Sequence, residues 1–415
     1  MRVHQPHEGG ERKGRKVTFG AWDCQGGMQE GNDFDVIIVG AGMVGLALAR
    51  ALRHSGLRLA LVDRGARPAP LPPEPADWDS RVFAISPGSA AFLAGLGAWP
   101  DEARVAPVTG MDVRGDASGR IEFDAQDART TRLASIVEGR VLVDALWQGL
   151  EDHASVWMPA ACAALTFDDR ARLSLEDGRT LQAALVVAAD GARSWVREQA
   201  GIPAQTSPYR QTAVVANFTC ERSHHGVAHQ WFRRDGILAL LPLPGNRCSL
   251  VWSAQEEQAS ALLALAPGAL AQRVREASGD ALGRLEVITP AAGFPLQLVT
   301  VRELVRPRLA LAGDAAHNLH PLAGQGVNLG FQDVRELARI LRDRGPCRDV
   351  GELRLLRRYE RARREDILAM TLATDGLKKL FGADHRALSW LRNRGLSLVD
   401  HVAHVKRLLV THALG

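Results

Sequence analysis

Residues 313–330, GDAAHNLHPLAGQGVNLG, set four glycines, an aspartate and two histidines directly behind the apolar run Arg308-Leu309-Ala310-Leu311-Ala312. An ordinary surface loop does not require that much permissive backbone, because every glycine adds conformational entropy that folding must overcome. The composition suits a backbone against which something flat lies. A second cluster stands near the other end of the chain, where Gly40, Gly42 and Gly45 complete G-x-G-x-x-G and Asp63 follows. Glycines in that pattern allow a tight turn, the approach of a pyrophosphate and close helix-to-strand packing, and an acid about 20 residues on suits a ribose hydroxyl pair. Other chemistries find less support. His317 and His320 form H-x-x-H with no third ligand and no His-Glu-x-x-His frame, so no metal is expected. No Ser/His/Asp arrangement stands out.

The elements that would carry these residues follow from the apolar pattern. Asp35 to Val39 is a short β-branched run, and Val44 to Leu52 has helical spacing of apolar and small residues. Strand, glycine turn and helix therefore fall where a nucleotide fold needs them, with phosphates at the helix N-terminus. LVVAADGARSWVR, residues 185–197, reads as a strand, an Asp190-Gly191 turn and a helix with Arg193 and Arg197. A third strand ends at Gly313-Asp314, and a further helix shows its spacing at Val334, Leu337 and Leu341.

A flavin uses such a loop well. Its reduced ring carries negative charge that a helix N-terminus stabilises. Asp314 would accept from a ribityl hydroxyl, while Gly324, Gln325 and Gly326 let the backbone lie along the ring edge. Asp63 in place of a basic residue favours an unphosphorylated ribose, which NAD and the adenosine of FAD share. A simple NAD-dependent dehydrogenase leaves residues 313–330 unexplained.

Together Gly-Asp-Ala-Ala-His at 313–317, Pro-Leu-Ala-Gly-Gln-Gly-Val-Asn-Leu-Gly at 321–330, the Asp190-Gly191 element and the N-terminal glycines resemble the class A flavoprotein aromatic hydroxylases. Within these the chain is most similar to the ubiquinone-biosynthesis hydroxylases of bacteria and mitochondria. DSRVFAIS (79–86), CSLVWS (248–253) and the tail DGLKKLFG extend the likeness over about residues 33–415. The resemblance implies an α/β, para-hydroxybenzoate-hydroxylase-like fold: a discontinuous Rossmann-like FAD-binding domain, a middle antiparallel-sheet substrate domain and a C-terminal helical region. It implies hydroxylation of the aromatic ring of a polyprenyl phenol or benzoquinol by way of a flavin C4a-hydroperoxide. O2 would be the co-substrate, and NAD(P)H or another donor the reductant.

Carried over by position, the resemblance gives Gly40, Gly42 and Gly45 to the pyrophosphate, Asp63 to the adenosine ribose, and Arg81 to the FAD or pyridine-nucleotide side. Asp190, Gly313 and Asp314 would bind cofactor, and Gly324, Gln325, Gly326, Val327 and Asn328 would cover the pyrimidine edge. The polar opening of the helix in EGRVLVDAL falls on Gly139 or Arg140, with Arg140 the expected contact. His317 and Pro321 would lie beside the flavin, and no acid or base is identified.

At 415 residues the chain holds a large core and more than one domain. The expected division is an extension at 1–32; an FAD-binding domain from 33–106, 134–204 and 300–345; a substrate domain from 107–133 and 205–299; and a helical region at 346–415. The polar, glycine-rich HEGGERKGRK suggests that the extension is disordered or that translation starts at Met28. Five scattered cysteines without Cys-x-x-Cys fit a reduced, cytoplasmic chain. No run reaches the roughly 18 apolar residues of a spanning helix. Net charge is +4, yet residues 331–415 carry 18 Lys and Arg against 11 Asp and Glu, leaving −3 elsewhere. That asymmetry suggests contact with an acidic partner protein or the inner face of a membrane, against the plainer reading of a solvated helix face.

Residues 209–253 alternate apolar and polar types as antiparallel strands do. Tyr209, Gln211, Asn217, Gln230 and Trp231 are the candidates for lining a pocket for a phenolic ring. Helical stripes at Ile367, Met370, Thr374, Leu377 and Phe381, and at Leu398, Val402, Val405 and Leu409, read first as packing faces. Lys378, Lys379, Lys406 and Arg407 lie near them and suit a peripheral membrane surface that a lipid-tailed substrate would make useful. The rivals are a soluble aromatic-acid hydroxylase and, from another class, a non-catalytic scaffold that holds FAD or lipid. No nucleic-acid partner is expected.

Overall fold

The computed structural model describes Met1 and residues 32–72, 77–115, 119–127, 129–233, 235–318, 326–345 and 347–382, with side chains as far as Leu372 in the last segment. The chain divides into two units, Met1–Gly31 and Asn32–Gly415. The expected extension, with its start at Met28, and the residues His320, Pro321, Gly324 and Gln325 lie outside the described residues. So do the stripe Leu398 to Leu409 with Lys406 and Arg407, and the side chains of Thr374, Leu377, Lys378, Lys379 and Phe381.

Numbered by position along the chain, β1 (Asp33–Val39) forms the middle of an eight-stranded sheet. Its Val36, Ile37 and Ile38 are fully buried, as befits a strand covered on both faces. Parallel neighbours extend from it: β2 (Leu59–Val62) and β8 (Ala154–Trp157) on one side, β11 (Thr180–Ala188) and β19 (Leu309–Leu311) on the other. The antiparallel strands β9 (Cys162–Phe167), β10 (Ala171–Leu175) and β18 (Val305–Arg306) complete it. Helices α1 (Met43–Ala51), α3 (Gly139–Trp147) and α7 (Gly326–Arg342) pack together beside this sheet, and α8 (Leu353–Gly382) lies on α7.

A nine-stranded sheet follows the order β20-β17-β12-β15-β14-β13-β5-β6, with β16 joined to β12. Its strands are β5 (Gly110–Arg114), β6 (Arg120–Asp124), β12 (Ala204–Cys220), β13 (Val227–Arg233), β14 (Gly236–Leu243), β15 (Arg247–Gln255), β16 (Leu285–Val287), β17 (Ala292–Val301) and β20 (His317–Asn318). Alternation along β12 separates two faces. Val214, Ala216 and Phe218 pack with Leu262, Leu270 and Val274 of α5 (Glu256–Leu263) and α6 (Pro267–Ala277). Asn217 points the other way and donates from Nδ2 to the Asp79 carbonyl at 2.8 Å. A three-stranded sheet of β3 (Val82–Ile85), β4 (Val105–Val108) and β7 (Ala134–Glu138) adjoins this second face.

The fold is the expected α/β architecture with a discontinuous nucleotide domain and a strand-rich middle domain. Within residues 300–345, β19 lies in the first sheet, while His317 and Asn318 pair with Thr300 and Val299 in the second. The segment 313–318 therefore bridges the two sheets.

Candidate functional site

The first loop is built from its own glycines. Gly40 has φ +108, and a Cβ there would lie 2.3 Å from the Ala189 carbonyl oxygen. One turn on, a Cβ at Gly45 would stand 1.9 Å from the Gly40 carbonyl oxygen, so only glycine lets α1 start this close to the loop. Gly42 meets the opposite condition, open space around its Cβ position, and the N-terminus of α1 carries no side-chain cap. Its first-turn N–H groups are left for a ligand. Asp63, just beyond β2, accepts from the Ala41 N–H at 2.7 Å and from the Gly65 N–H at 2.7 Å, through different oxygens. The expected ribose acid is thus also the strap that shapes the glycine loop.

At the end of β11 the chain turns through Gly191 at φ +86. Asp190 Oδ2 accepts from the Val196 N–H at 3.1 Å at the start of α4 (Trp195–Gln199), while its Oδ1 is buried without a protein partner. Burial holds the Asp190 carboxyl above its ordinary value against the pull of Ser194 and the Val196 amide. Cys162 lies near both acids: burial first, then Asp190 and Asp63, pushes its thiol up to about 12, which leaves it unreactive. Buried Arg197 spans from this turn to the second loop, donating to the Ala192 carbonyl at 3.0 Å and the Ala315 carbonyl at 2.9 Å.

The second loop meets the first at one side chain. Gly313, at φ +60, and Gly330 both press on Val44 of α1: added Cβ atoms would lie 2.9 and 2.7 Å from its methyl group. Asp314 beside them is half-buried, and burial raises its carboxyl while His317 and Arg81 pull it down. Gly326, where α7 begins, has open space around its Cβ position like Gly42, and the neighbouring Val327 is half-buried. Asn328 is buried and committed to its own fold: Oδ1 accepts from the Ser86 N–H at 2.9 Å and Nδ2 donates to the Ala84 carbonyl at 2.8 Å, tying α7 to β3. Its side chain therefore builds the loop, and what remains for a cofactor there is backbone.

Residues 77–81 form a hub between these loops and the second sheet. Asp79 donates its N–H to buried Glu138 at 2.6 Å, and the Gly139 N–H reaches the Arg81 carbonyl at 2.8 Å. The Arg140 guanidinium holds Asp77, and its N–H donates to Asp79 at 3.1 Å. That engagement gives Arg140 a structural task the sequence did not show. Arg81 is exposed and lies over the rings of Phe83 and Phe294, 5.1 and 5.3 Å from their centroids. Phe294, 37 % exposed on β17, was not legible as a site residue, because its partner Arg81 comes more than two hundred positions earlier in the sequence.

The five candidate pocket residues separate. Asn217 is fully buried, donates its N–H to Thr289 Oγ1 at 2.8 Å, and joins the sheet to Asp79. Tyr209 lies in a bulge of the β12–β17 ladder and Gln211 resumes the pairing after it, while Gln230 is buried on β13. The expectation for Trp231 is corrected: it packs in the core between the sheet and α5 and α6, on the far side from Asn217, because successive strand residues alternate faces.

Two loops with open space at Gly42 and Gly326, an uncapped helix start and a buried carboxylate oxygen with no partner among the described residues fit an extended dinucleotide carrying a flat ring. A family profile described as an FAD binding domain matches residues 165–373, and one described as an NAD(P)-binding Rossmann-like domain matches 38–84. The ubiquinone hydroxylase UbiL of Rhodospirillum rubrum is 38 % identical, over 92 % of this chain and 89 % of its own. The 3-demethoxyubiquinol 3-hydroxylase of Escherichia coli is 36 % identical, over 92 % and 98 %. Human mitochondrial COQ6, a ubiquinone biosynthesis monooxygenase, is 31 % identical, over 95 % of each. Among solved structures, the p-nitrophenol 4-monooxygenase PnpA of Pseudomonas putida superimposes with TM-score 0.73 at 20 % identity, covering 92 % of this chain and 99 % of its own, which shows the shared fold. The class is that of FAD-dependent aromatic-ring monooxygenases. Within it, the chain belongs to the ubiquinone-biosynthesis hydroxylase family.

Proposed function

We propose that this chain hydroxylates the aromatic ring of a lipid-tailed phenol or benzoquinol precursor of ubiquinone. The observation that carries the reading is the junction of the two glycine-built loops on Val44, with the segment 313–318 running from the nucleotide sheet to the second sheet. Bound FAD supplies oxygen activation, with O2 as co-substrate and NAD(P)H or another donor as reductant. The chain's residues bind and orient. The α1 N-terminus with Gly42 takes the pyrophosphate, Asp63 the ribose, Asp314 the ribityl chain, and the backbone from Gly326 to Asn328 the pyrimidine edge. Asp190, with its free buried Oδ1, accepts from the cofactor or a water beside it. On the substrate side, Tyr209, Gln211 and Gln230 remain the pocket candidates, joined by Phe294 and Arg81.

The test is to purify the protein, record its visible spectrum and supply precursor lipids from a hydroxylation-deficient strain. A flavin spectrum and a precursor heavier by one oxygen support the reading; bound flavin with no oxygenated lipid overturns it. One feature favours a second reading, an aromatic acid as substrate: the exposed Arg81 guanidinium over Phe294 suits a carboxylate. Turnover of small hydroxybenzoates, abolished by Arg81→Met, would establish that reading instead.

The substrate's tail calls for contact with a membrane surface, and α8 is suited to it. No helix among the described residues is long and apolar enough to cross a membrane. An open groove of about 680 Å³ on α8 is lined by Arg354, Arg357, Arg358 and Arg361, with Arg348 paired to Glu352 at its edge. Like charges three and four positions apart on a helix repel, so this stripe is suited to an anionic surface. Leu368 and Leu372 continue it, 57 % and 63 % exposed. Co-sedimentation with anionic vesicles but not zwitterionic ones, lost in Arg357→Glu/Arg361→Glu, is the expected result; equal binding to both kinds would refute the electrostatic contact.

A further inference from the structure

Beneath the second loop lies a chain of buried charges that the sequence did not single out. Asp333 of α7 is fully buried, and its Oδ2 accepts from the Gly313 N–H at 2.9 Å and from His317 Nε2 at 2.6 Å. Its Oδ1 accepts from Arg363 Nε of α8 at 2.8 Å. Arg363, 4 % exposed, also donates to Gln332 Oε1 at 3.1 Å and pairs with Asp366 at 2.5 Å. One turn before it, buried Tyr359 donates its hydroxyl to the Leu311 carbonyl at 2.8 Å, at the end of β19. The Leu311 end of the segment Leu311–His317 is thus fastened to α8 directly, and the His317 end through Asp333 of α7, which Arg363 of α8 holds in turn.

A buried ion pair is seldom a gain over well-packed apolar residues, because desolvating the charges offsets their attraction. The arrangement therefore calls for a role besides stability, and the geometry shows what it positions. With Nε2 committed to Asp333, the His317 ring has only Nδ1 left, and that atom is buried with no partner among the described residues. Which ring nitrogen is engaged on one side decides what the other presents.

We propose that Asp333 and Arg363 are positioning residues that hold His317 Nδ1 and the Gly313–Asp314 backbone toward the flavin, so that the C-terminal helix takes part in setting the cofactor's binding and redox poise. The proposal rests on the assignment of residues 313–318 to the flavin.

The experiment compares Asp333→Asn, His317→Gln and the double variant with wild type. FAD affinity is read by fluorescence titration of apoprotein, and the midpoint potential by dye equilibration. Each single variant is expected to weaken FAD at least about tenfold and to move the potential by about 30 mV, a tenfold change in relative affinity for oxidised and reduced flavin. The double variant is expected to be no worse than the poorer single one, since the two residues act as one unit. Loss of stability with unchanged potential, or fully additive effects, would overturn the proposal. Should Asp333→Asn fail to fold, Arg363→Lys replaces it: partial retention of both affinity and potential supports the relay, and full retention refutes it. A wild-type chain that binds no FAD would overturn the flavin assignment, whereas FAD-binding variants identical to wild type would overturn the relay alone.

Discussion

The loop at Gly40–Gly45 and the loop at Gly313–His317, both assigned to the cofactor in the proposed reading, are held in different ways. The first is fixed mostly by its own strand, turn and helix, with Ala189 at the end of β11 packed against Gly40 and one strap from Asp63 twenty-two residues away. The second is held by residues from distant elements: Arg197 on the Ala315 carbonyl, Asp333 on the Gly313 amide, Arg363 behind Asp333, and Tyr359 on Leu311. A loop fastened locally depends on backbone sterics, and one fastened at long range depends on buried charge. The two should fail differently.

The largest effect is expected at the long-range fastening. Arg363→Met leaves Asp333 buried without its cation, and such broken pairs cost about 3–5 kcal/mol. Urea unfolding of the apoprotein measures it, and a loss below 1 kcal/mol would mean that α8 is not a support of this loop. The same pair has an acid signature. Burial alone would raise the Asp333 carboxyl, but His317 and Arg363 outweigh it and hold it below the ordinary 3.8. A carboxyl lowered on folding stabilises the protein above its unfolded value and loses that contribution as pH falls through its folded value. The stability gap between wild type and Asp333→Asn should therefore be constant near neutrality and close only in acid below 3.8.

Next in size is Gly45→Ala. The added methyl would stand 1.9 Å from the Gly40 carbonyl oxygen, so loop or helix must shift, at about 1–3 kcal/mol as for overpacked sites. FAD affinity should fall with it while the Gly313 loop keeps its fastenings. Hydrogen exchange showing protection lost equally in both loops would erase the distinction between them.

The smallest effect on stability has the opposite sign. The Asp314 carboxyl is raised by burial, so the folded state binds its proton more tightly than the unfolded chain and stability falls as pH rises through its folded value. Asp314→Asn removes that penalty, so the apoprotein should melt at a higher temperature at neutral pH. It should also bind FAD about tenfold or more weakly, as expected for loss of a hydrogen bond to a charged group. A variant that melts lower or keeps full FAD affinity would remove Asp314 from the site.

How far the sequence reached follows from the same contrast. The glycine turn with Asp63 behind it was legible as a loop because most of its constraints are local: a turn, a close helix start and an acid at the end of the next strand leave a fixed spacing, whereas the packing of Ala189 on Gly40 was not legible. The fold class and the strands of 209–253 were legible for a related reason, since alternation records which face is buried. That alternation did not say what lies on each face, so Trp231 read as a pocket candidate although it is core, and Asn217 read as a ligand group although it ties the sheet to Asp79. Arg140 and Asn328, expected at the cofactor, have side chains engaged within the protein: the guanidinium on Asp77 and the amide on Ser86 and Ala84.

By its own pattern, then, the sequence determined an α/β nucleotide fold with two glycine-rich loops, because helix, strand and turn preferences act between residues close in the chain. Only the tertiary structure decided that the loops meet on Val44, that Arg81 lies beside Phe294, and that Asp333 and Arg363 stand under His317. Those pairings join residues tens to hundreds of positions apart, and the burial that makes their charges and hydrogen bonds count exists only once the sheets and helices have packed.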